Sequence, residues 1–436
     1  MRVKTLIMPM LIASLAAALS GCGGNQEGND RLTEVPAATI YTYRIMTHYS
    51  NAAEKLPVDA SIAEVHKQFP NVTLIPEPLA NDNGEQFKTR LVTGDLPAIM
   101  DINGQTIENV ITSGSVIRLY SYFNAHPDYA NQLIPSVADN LRYSDGHIYA
   151  FPRNGPAADL LYYNKRLFET YNIEVPTHYA QLLTAVKVLR SHNIIPIAMF
   201  AKQAWPVGAF FDMFAMRANR DGMMALSQGT AKASDPGYKE AIRKMGELIQ
   251  NGVFQQNAIA TDYVSAKALF YSGKAAMFIS GEWDISDTEA HLGKDVDFMD
   301  VFPTTDQGAV QANPLAMPGG GEPGGIAVAA NAPNTDLAVQ VAAAYTRAFQ
   351  IYSFELQSST MVTIPTEGLT PEHPLSEMTK RLLLSKSHYV MRSMPEHSLP
   401  NKKFAAAFGE ELQKFAAGEL PDDFIRNTDS LILSTR

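Results

Sequence analysis

Cysteine is almost missing from this chain of 436 residues: the one example is Cys22. With no second cysteine to pair, a disulfide framework is excluded and the fold must be held by a hydrophobic core. At this length such a core is available, in about two to three domains. Basic clusters are missing too. Lys and Arg number 35 against 45 Asp and Glu, for a formal charge of −10, and no basic stripe stands out, which argues against a nucleic-acid partner. Beyond the N-terminus no apolar run reaches membrane-spanning length. The ten histidines are scattered with no pair at i, i+4, so the spacing that zinc sites use is absent. No Gly-x-Ser-x-Gly occurs, which excludes the usual hydrolase elbow. The glycine-rich PGGGEPGG (318–325) lacks the Lys of a phosphate loop and runs into a strand. Neither metal nor cofactor is expected.

What is present begins at the N-terminus. In MRVKTLIMPMLIASLAAALSGCGG, Arg2 and Lys4 precede an apolar run from Leu6 to Leu19 and then small residues. That is the pattern of a secretory signal, assigned to 1–21. The run is short for a transmembrane helix. Leu19-Ser20-Gly21-Cys22 resembles the lipobox of bacterial lipoproteins, which implies cleavage before Cys22 and acylation of its thiol; an incidental free cysteine is the alternative. Acyl chains bury CH₂ groups worth about 0.8 kcal/mol each and would anchor the chain firmly. Residues 22–37 are polar with several glycines, a flexible tether.

From Ala38 onward strands and helices alternate. ATIYTY (38–43), NVTLIPEP (71–78) and LPAIMDI (96–102) read as strands, with a helix over Ser61–Phe69 in which Ile62, Val65 and Phe69 share a face. A second region runs from YAFP (149–152) through RNGPAA to DLLYYN (159–164). It continues as helix, turn, a helix with Leu182, Val186 and Leu189 on one face and Thr177 placed as its cap, and a strand. AAMFIS (275–280) is a further strand, Asn334–Phe349 a helix, and the C-terminal third is mostly helical. The alternation predicts an α/β fold with mainly parallel sheets flanked by helices. That architecture names no function.

Tryptophan is scarce, with Trp205 and Trp283 alone. Trp283 lies in FISGEWDI (278–285), where an apolar strand ends, a place suited either to a buried core ring or to ligand contact. Glu282 and Asp284 flank it and on a strand would point the same way, a carboxylate pair a glycosidase could use, although carboxylates also bind sugars without cleaving them. Asp82–Glu85 reads as a turn, since the alternating ligands of a calcium loop are absent.

Together with the lipobox, three stretches resemble the extracellular solute-binding proteins of bacterial ABC importers, in the family 1, maltose-binding-like group. They are LVTGDLPAIMDI (91–102), GHIYAFPRNGPAADLLYYNKRLFETYNIEVPTHYAQLL (146–183) and SGKAAMFISGEWDI (272–285). The resemblance implies a two-lobed periplasmic-binding-protein fold, type II-like, with the ligand cleft between lobes. Lobe 1 would be 36–155 plus 320–352, and lobe 2 would be 156–318 plus 356–436. The crossings would fall near Arg153–Ala157, Pro318–Gly325 and Ile351–Pro365. It also implies a monomer, outside the cytoplasm and lipid-anchored at Cys22, that captures a carbohydrate and hands it to ABC permease transmembrane subunits. Gly23, not Asp, follows the cysteine, and whether the anchor faces a periplasm or the cell exterior stays open.

In the family the Gly-x-Trp after this strand puts its ring in the cleft, which Gly281-Glu282-Trp283 matches, and Trp205 sits where family members carry a second aromatic contact. Glu282, Tyr49, Asp101, Asn103, Gln105, Arg153, Asn154 and Gly325 are further ligand candidates, each with a structural alternative in capping, turn or hinge. Tyr162, Tyr163 and Asn164 read as core and hinge. The mixture of polar and aromatic candidates favours a neutral ligand. The alternatives are the same fold taking a polyamine, metal or phosphate ester, a sensor without transport, and a surface glycoside hydrolase using Glu282 or Asp284.

Overall fold

The computed structural model describes residues 39–436 except 81, 83, 104–105, 139–140, 144, 307–316, 321–323, 387 and 390–392. Cys22, the signal segment and Gln105 lie outside the described residues. The strands are β1 (Tyr41–Thr47), β2 (Val72–Pro78), β3 (Ile99–Ile102), β4 (Ala150–Phe151), β5 (Ala157–Asn164), β6 (Ile195–Ala198), β7 (Ala275–Gly281), β8 (Val296–Phe298), β9 (Gly319–Gly320) and β10 (Gly325–Val328). They form two sheets, ordered β2-β1-β3-β10-β4 and β6-β7-β5-β8, with β9 beside β5.

The α/β class is as the alternation implied, but the ladders are not mainly parallel. In the first sheet β1 is parallel to β2 and β3, while β10 is antiparallel to both β3 and β4. In the second, β6 is parallel to β7, while β5 is antiparallel to β7, β8 and β9. One strand per sheet is reversed, and the reason is its route. Strands that feed helices within a sheet run toward one common edge, as βα units require. β5 and β10 enter from the other sheet through that edge, so they run away from it.

Each sheet has its own core. Around the first lie Tyr43, Ile45, Phe87, Ile99, Phe151, Val341 and Tyr345, among others. Around the second lie Leu160, Tyr162, Phe200, Phe210, Phe278, Leu382, Phe408 and Phe424. Every residue of β7 is buried, which explains its near-continuous apolar sequence: helices cover both faces, so no alternation survives.

Two helices exceed their sequence reading. Ala52–Gln68 starts well before Ser61 because Asn51 accepts the Glu54 N–H at 2.9 Å while the Glu54 carboxylate takes the Ser50 N–H at 2.6 Å, a reciprocal cap. Pro57 in its interior hides that start. Thr335–Gln357 runs past Phe349 and stops at Ser358, which adopts a left-handed conformation with φ +56°. The cap of Tyr179–Ser191 is His178, not Thr177. Thr177 instead donates through its N–H and hydroxyl to Gln181 Oε1, both at 2.9 Å.

Candidate functional site

The edges from which β5 and β10 depart carry the candidate residues. Gly281, the last residue of β7, is opposite Asp159 near the start of β5, and Ile102, the last of β3, is opposite Gly325 at the start of β10. Ligands of open α/β sheets collect at such strand ends.

On the second sheet two elements deliver the tryptophans to one place. Trp205 opens the helix Trp205–Ala218 after β6, and Trp283 sits in a 3₁₀ turn, Glu282–Asp284, after β7. Their ring centroids are 5.7 Å apart at 62°, an edge-to-face contact of the kind worth about 0.5–1.5 kcal/mol. Trp205 also meets Phe200 edge-on at 5.1 Å, and its indole N–H donates to Gln203 Oε1 at 2.9 Å. Trp283 is 42% exposed, so the burial explanation for this ring fails. The ring is held on one side by a second ring and remains substantially open to solvent. Gly281 is what lets it lie there: a Cβ at 281 would overlap the Trp283 ring atoms. The glycine two residues before the tryptophan is thus a steric requirement of the ring's pose.

The carboxylates beside Trp283 are otherwise engaged. Glu282 and Asp284 lie in a turn rather than a strand and do not point the same way. Glu282 is buried. Its Oε1 accepts from the Ala158 N–H at 2.9 Å and from Lys386 Nζ at 2.5 Å, and its Oε2 accepts from the Thr360 hydroxyl. Both carboxylate oxygens of Glu282 are thus engaged within the protein. Asp284 is buried as well. It accepts from Tyr263 Oη at 2.6 Å, Lys267 Nζ at 2.9 Å and Ser280 Oγ at 2.5 Å. Burial works to lower the Lys267 ammonium, but Asp284 and Asp287 outweigh it and raise it. The Tyr263 phenol is raised, first by burial, then by Asp284 and, from the first sheet's edge, by Glu54.

On the first sheet Asp101 lies within β3, inside the strand read over 96–102, buried and 3.1 Å from Arg153 Nη1. The Arg153 guanidinium lies 4.3 Å from the Phe349 ring centroid and donates to His48 O at 3.5 Å. The geometry pairs the two groups with each other. Tyr49 follows β1, half-buried against the first core, with Lys55 Nζ 5.8 Å from its ring centroid. Asn103 forms a turn in which its N–H donates to Thr106 Oγ1 at 3.1 Å. Asn154 is exposed at the crossing from β4 to β5. Gly325, at φ +143°, has no room for a Cβ because of Phe151 O, so strand packing accounts for it. Tyr162 is core, its hydroxyl donating to Gly281 O at 2.8 Å, and Asn164 caps Lys165–Thr170 through the Leu167 N–H at 3.1 Å.

Sequence reading missed Gln203, Lys386 and Thr360. Gln203 had a faint signal in its position two residues before a tryptophan at a strand end. The other two had none.

Residues 52–348, more than half of the chain, match the family described as bacterial extracellular solute-binding protein. The chain belongs to that family. Among relatives of this solute-binding protein, an uncharacterised ABC transporter extracellular-binding protein of Pyrococcus horikoshii is 22% identical over 64% of this chain and 64% of its own length. The multiple sugar-binding protein of Streptococcus mutans is 23% identical over 55% of this chain and 58% of its own. The match thus spans less than two thirds of either relative. A structure from work on xylan utilisation by Caldanaerobius polysaccharolyticus superposes with a TM-score of 0.77 at 24% identity, covering 89% of this chain and 99% of that one. A chitin oligosaccharide binding protein gives 0.72 at 17% identity, covering 90% and 98%. At these identities the structures establish a shared fold, that of periplasmic solute-binding proteins. No helix among the described residues is long and apolar enough to cross a membrane.

Proposed function

We propose that this protein is the substrate-binding lipoprotein of a bacterial ABC importer and that it captures an oligosaccharide. Segments 36–155 plus 320–352 act as one lobe and 156–318 plus 356–436 as the other. The lobes close on the sugar and present it to permease subunits. Cys22, acylated, holds the chain to the outer face of the membrane. No bond is made or broken in the ligand.

The observation that carries this reading is the Trp205–Trp283 pair, one ring buttressing the other at 5.7 Å beyond the ends of β6 and β7. A pyranose has an apolar C–H face and a rim of hydroxyls, and an exposed indole matches the former while neighbouring polar groups serve the latter. Names among the relatives point the same way, through multiple sugar and chitin oligosaccharide binding. The nearby carboxylates Glu282 and Asp284 are satisfied internally. They are therefore poorly placed to attract a cation or to share a glycosidic bond, which favours a neutral ligand and binding without hydrolysis.

The test is a thermal-shift and calorimetric screen against raffinose, xylo-oligosaccharides and chito-oligosaccharides, with polyamines and phosphate esters alongside and products checked by chromatography. A ligand at 100 times its Kd stabilises the native state by about 2.7 kcal/mol. A shift with one sugar class that Trp283→Ala abolishes, with the sugar recovered intact, is the expected result. A shift only with polyamines or phosphate esters, or cleavage of the sugar, would overturn it.

A further inference from the structure

We infer that Glu282 is a latch, tying the aromatic wall to the pivot on which the two sheets move. The inference rests on the sugar-binding reading only in saying what the wall holds; the latch itself is read from the backbone and its contacts.

Glu282 directly precedes Trp283. Its side chain is fully buried, yet it is charged and reaches three elements at once. Oε1 accepts from the Ala158 N–H at the start of β5 and from Lys386 Nζ at the end of the helix Glu377–Lys386, and Oε2 accepts from the Thr360 hydroxyl. Lys386 Nζ closes the triangle by donating to Thr360 O at 3.2 Å. Thr360 belongs to the segment that leads from the helix Thr335–Gln357, packed on the first sheet, to residues packed on the second.

Three residues later the same segment is fastened to the other side. The Thr363 N–H donates to Gln350 Oε1 at 2.7 Å, and Thr363 O accepts from the Ile134 N–H at 2.8 Å. Ile364 then packs with Leu133 and Val137. Only Met361 and Val362 separate the residue bound by Glu282 from the residue bound to the helix Thr335–Gln357 and to Ile134. They face the β4–β5 crossing: the Gly155 N–H donates to Met361 O at 2.5 Å, and a Cβ on Gly155 would lie 2.9 Å from Val362 O. Two strands of backbone held this closely, each anchored within two or three residues on both sides, form a hinge axis. Glu282 is the side chain that fixes the wall to one side of it.

A buried charge with three partners would be hard to account for as a stabiliser, because apolar replacements of such pairs are often as stable. As a coupling device it makes sense: a ligand gripped by Trp283 pulls on Glu282, and Glu282 transmits the pull to Thr360. Without the latch the second sheet's edge can shift against the pivot, so the wall and the hinge no longer move as one body.

The experiment uses the full chain carrying Cys22→Ser, which leaves no native thiol, with spin labels at Val92→Cys on the first-sheet half and Leu433→Cys on the second, both exposed positions. Inter-label distance distributions are recorded without ligand for Glu282→Gln, Thr360→Val and Thr360→Ser, and stopped-flow kinetics are measured with xylohexaose. Glu282→Gln and Thr360→Val are expected to broaden the sugar-free distribution by roughly twofold and to speed dissociation about tenfold with association little changed, as interface losses usually fall on the off-rate. Thr360→Ser, which keeps the hydroxyl, is expected to restore both. Folded Thr360→Val protein with a distribution as narrow as the parent overturns the latch, and this variant decides the matter even if Glu282→Gln fails to fold. If the parent binds no oligosaccharide, the sugar reading fails by itself, and the distribution widths still decide for or against the latch.

Discussion

The benzenoid ring of Trp283 lies across the α-carbon of Gly281, in space that a side chain at 281 would occupy. The pair is a single device, a ring and the gap that admits it. Gly281→Ala should therefore mimic loss of the ring without deleting it. Because Trp283 is half in solvent it can swing outward, so the fold should lose little while binding loses roughly 2 kcal/mol, the scale of a central aromatic contact. Calorimetry with the sugar found by screening, beside a melting curve, checks both halves. Undiminished affinity would show that the ring's pose is irrelevant to binding.

Gln203 orients the other indole by accepting its N–H at 2.9 Å. Gln203→Leu leaves that donor unpaired and the ring free to turn, which should cost about 1 kcal/mol of affinity, the net worth of such a bond. With only two tryptophans in the chain, near-ultraviolet circular dichroism reads the change in ring packing directly. An unchanged spectrum with unchanged binding would remove Gln203 from the site.

Asp101 and Arg153 are both buried and 3.1 Å apart. Arg153→Met strands the carboxylate, a loss that typically costs about 3–5 kcal/mol. Asp101→Leu combined with Arg153→Met should recover most of it, because no lone charge then remains. Urea denaturation of Arg153→Met, Asp101→Leu and the double variant measures the coupling, and additive losses would mean that the two groups do not act as a pair.

Asp212, in the helix Trp205–Ala218, is buried, and its Oδ1 accepts the Met223 N–H at 2.9 Å. Burial pushes its carboxyl up from 3.8 to about 7, against the opposing pull of Ser393, the Met223 N–H and Arg217. A raised acid keeps its proton in the native state after the unfolded chain has released one, so its contribution is fully present at low pH and is lost as pH rises from about 4 to about 7. A separation of that size is worth at most about 4 kcal/mol. Asp212→Asn, free of this titration, should gain in melting temperature relative to the parent across that window and run level above it. Parallel curves from pH 4 to 8 would refute the assignment.

Much of the framework was legible because it is written locally. β2 and β7 were found almost to the residue, since prolines or glycines bound their apolar runs. The tryptophans stood out through scarcity and position at strand ends. What could not be read was written at a distance. Glu282 looked available because its partners Thr360 and Lys386 lie 78 and 104 residues away. Asp101 looked like a ligand candidate because the cation that pairs with it comes from a different strand end. The sense of β5 and β10 was hidden for the same reason: direction depends on where a strand enters its sheet, and single-sequence periodicity carries no record of that.

The place of β10 between β3 and β4 has a consequence for the making of the protein. A chain emerging N-terminus first has synthesised β1 to β4 by residue 151 and still lacks the strand that joins β3 to β4 until Gly325–Val328 appears. Its first sheet cannot close, and contacts this remote in sequence form slowly. A late central strand thus keeps the early part of the chain open until most of it has been made.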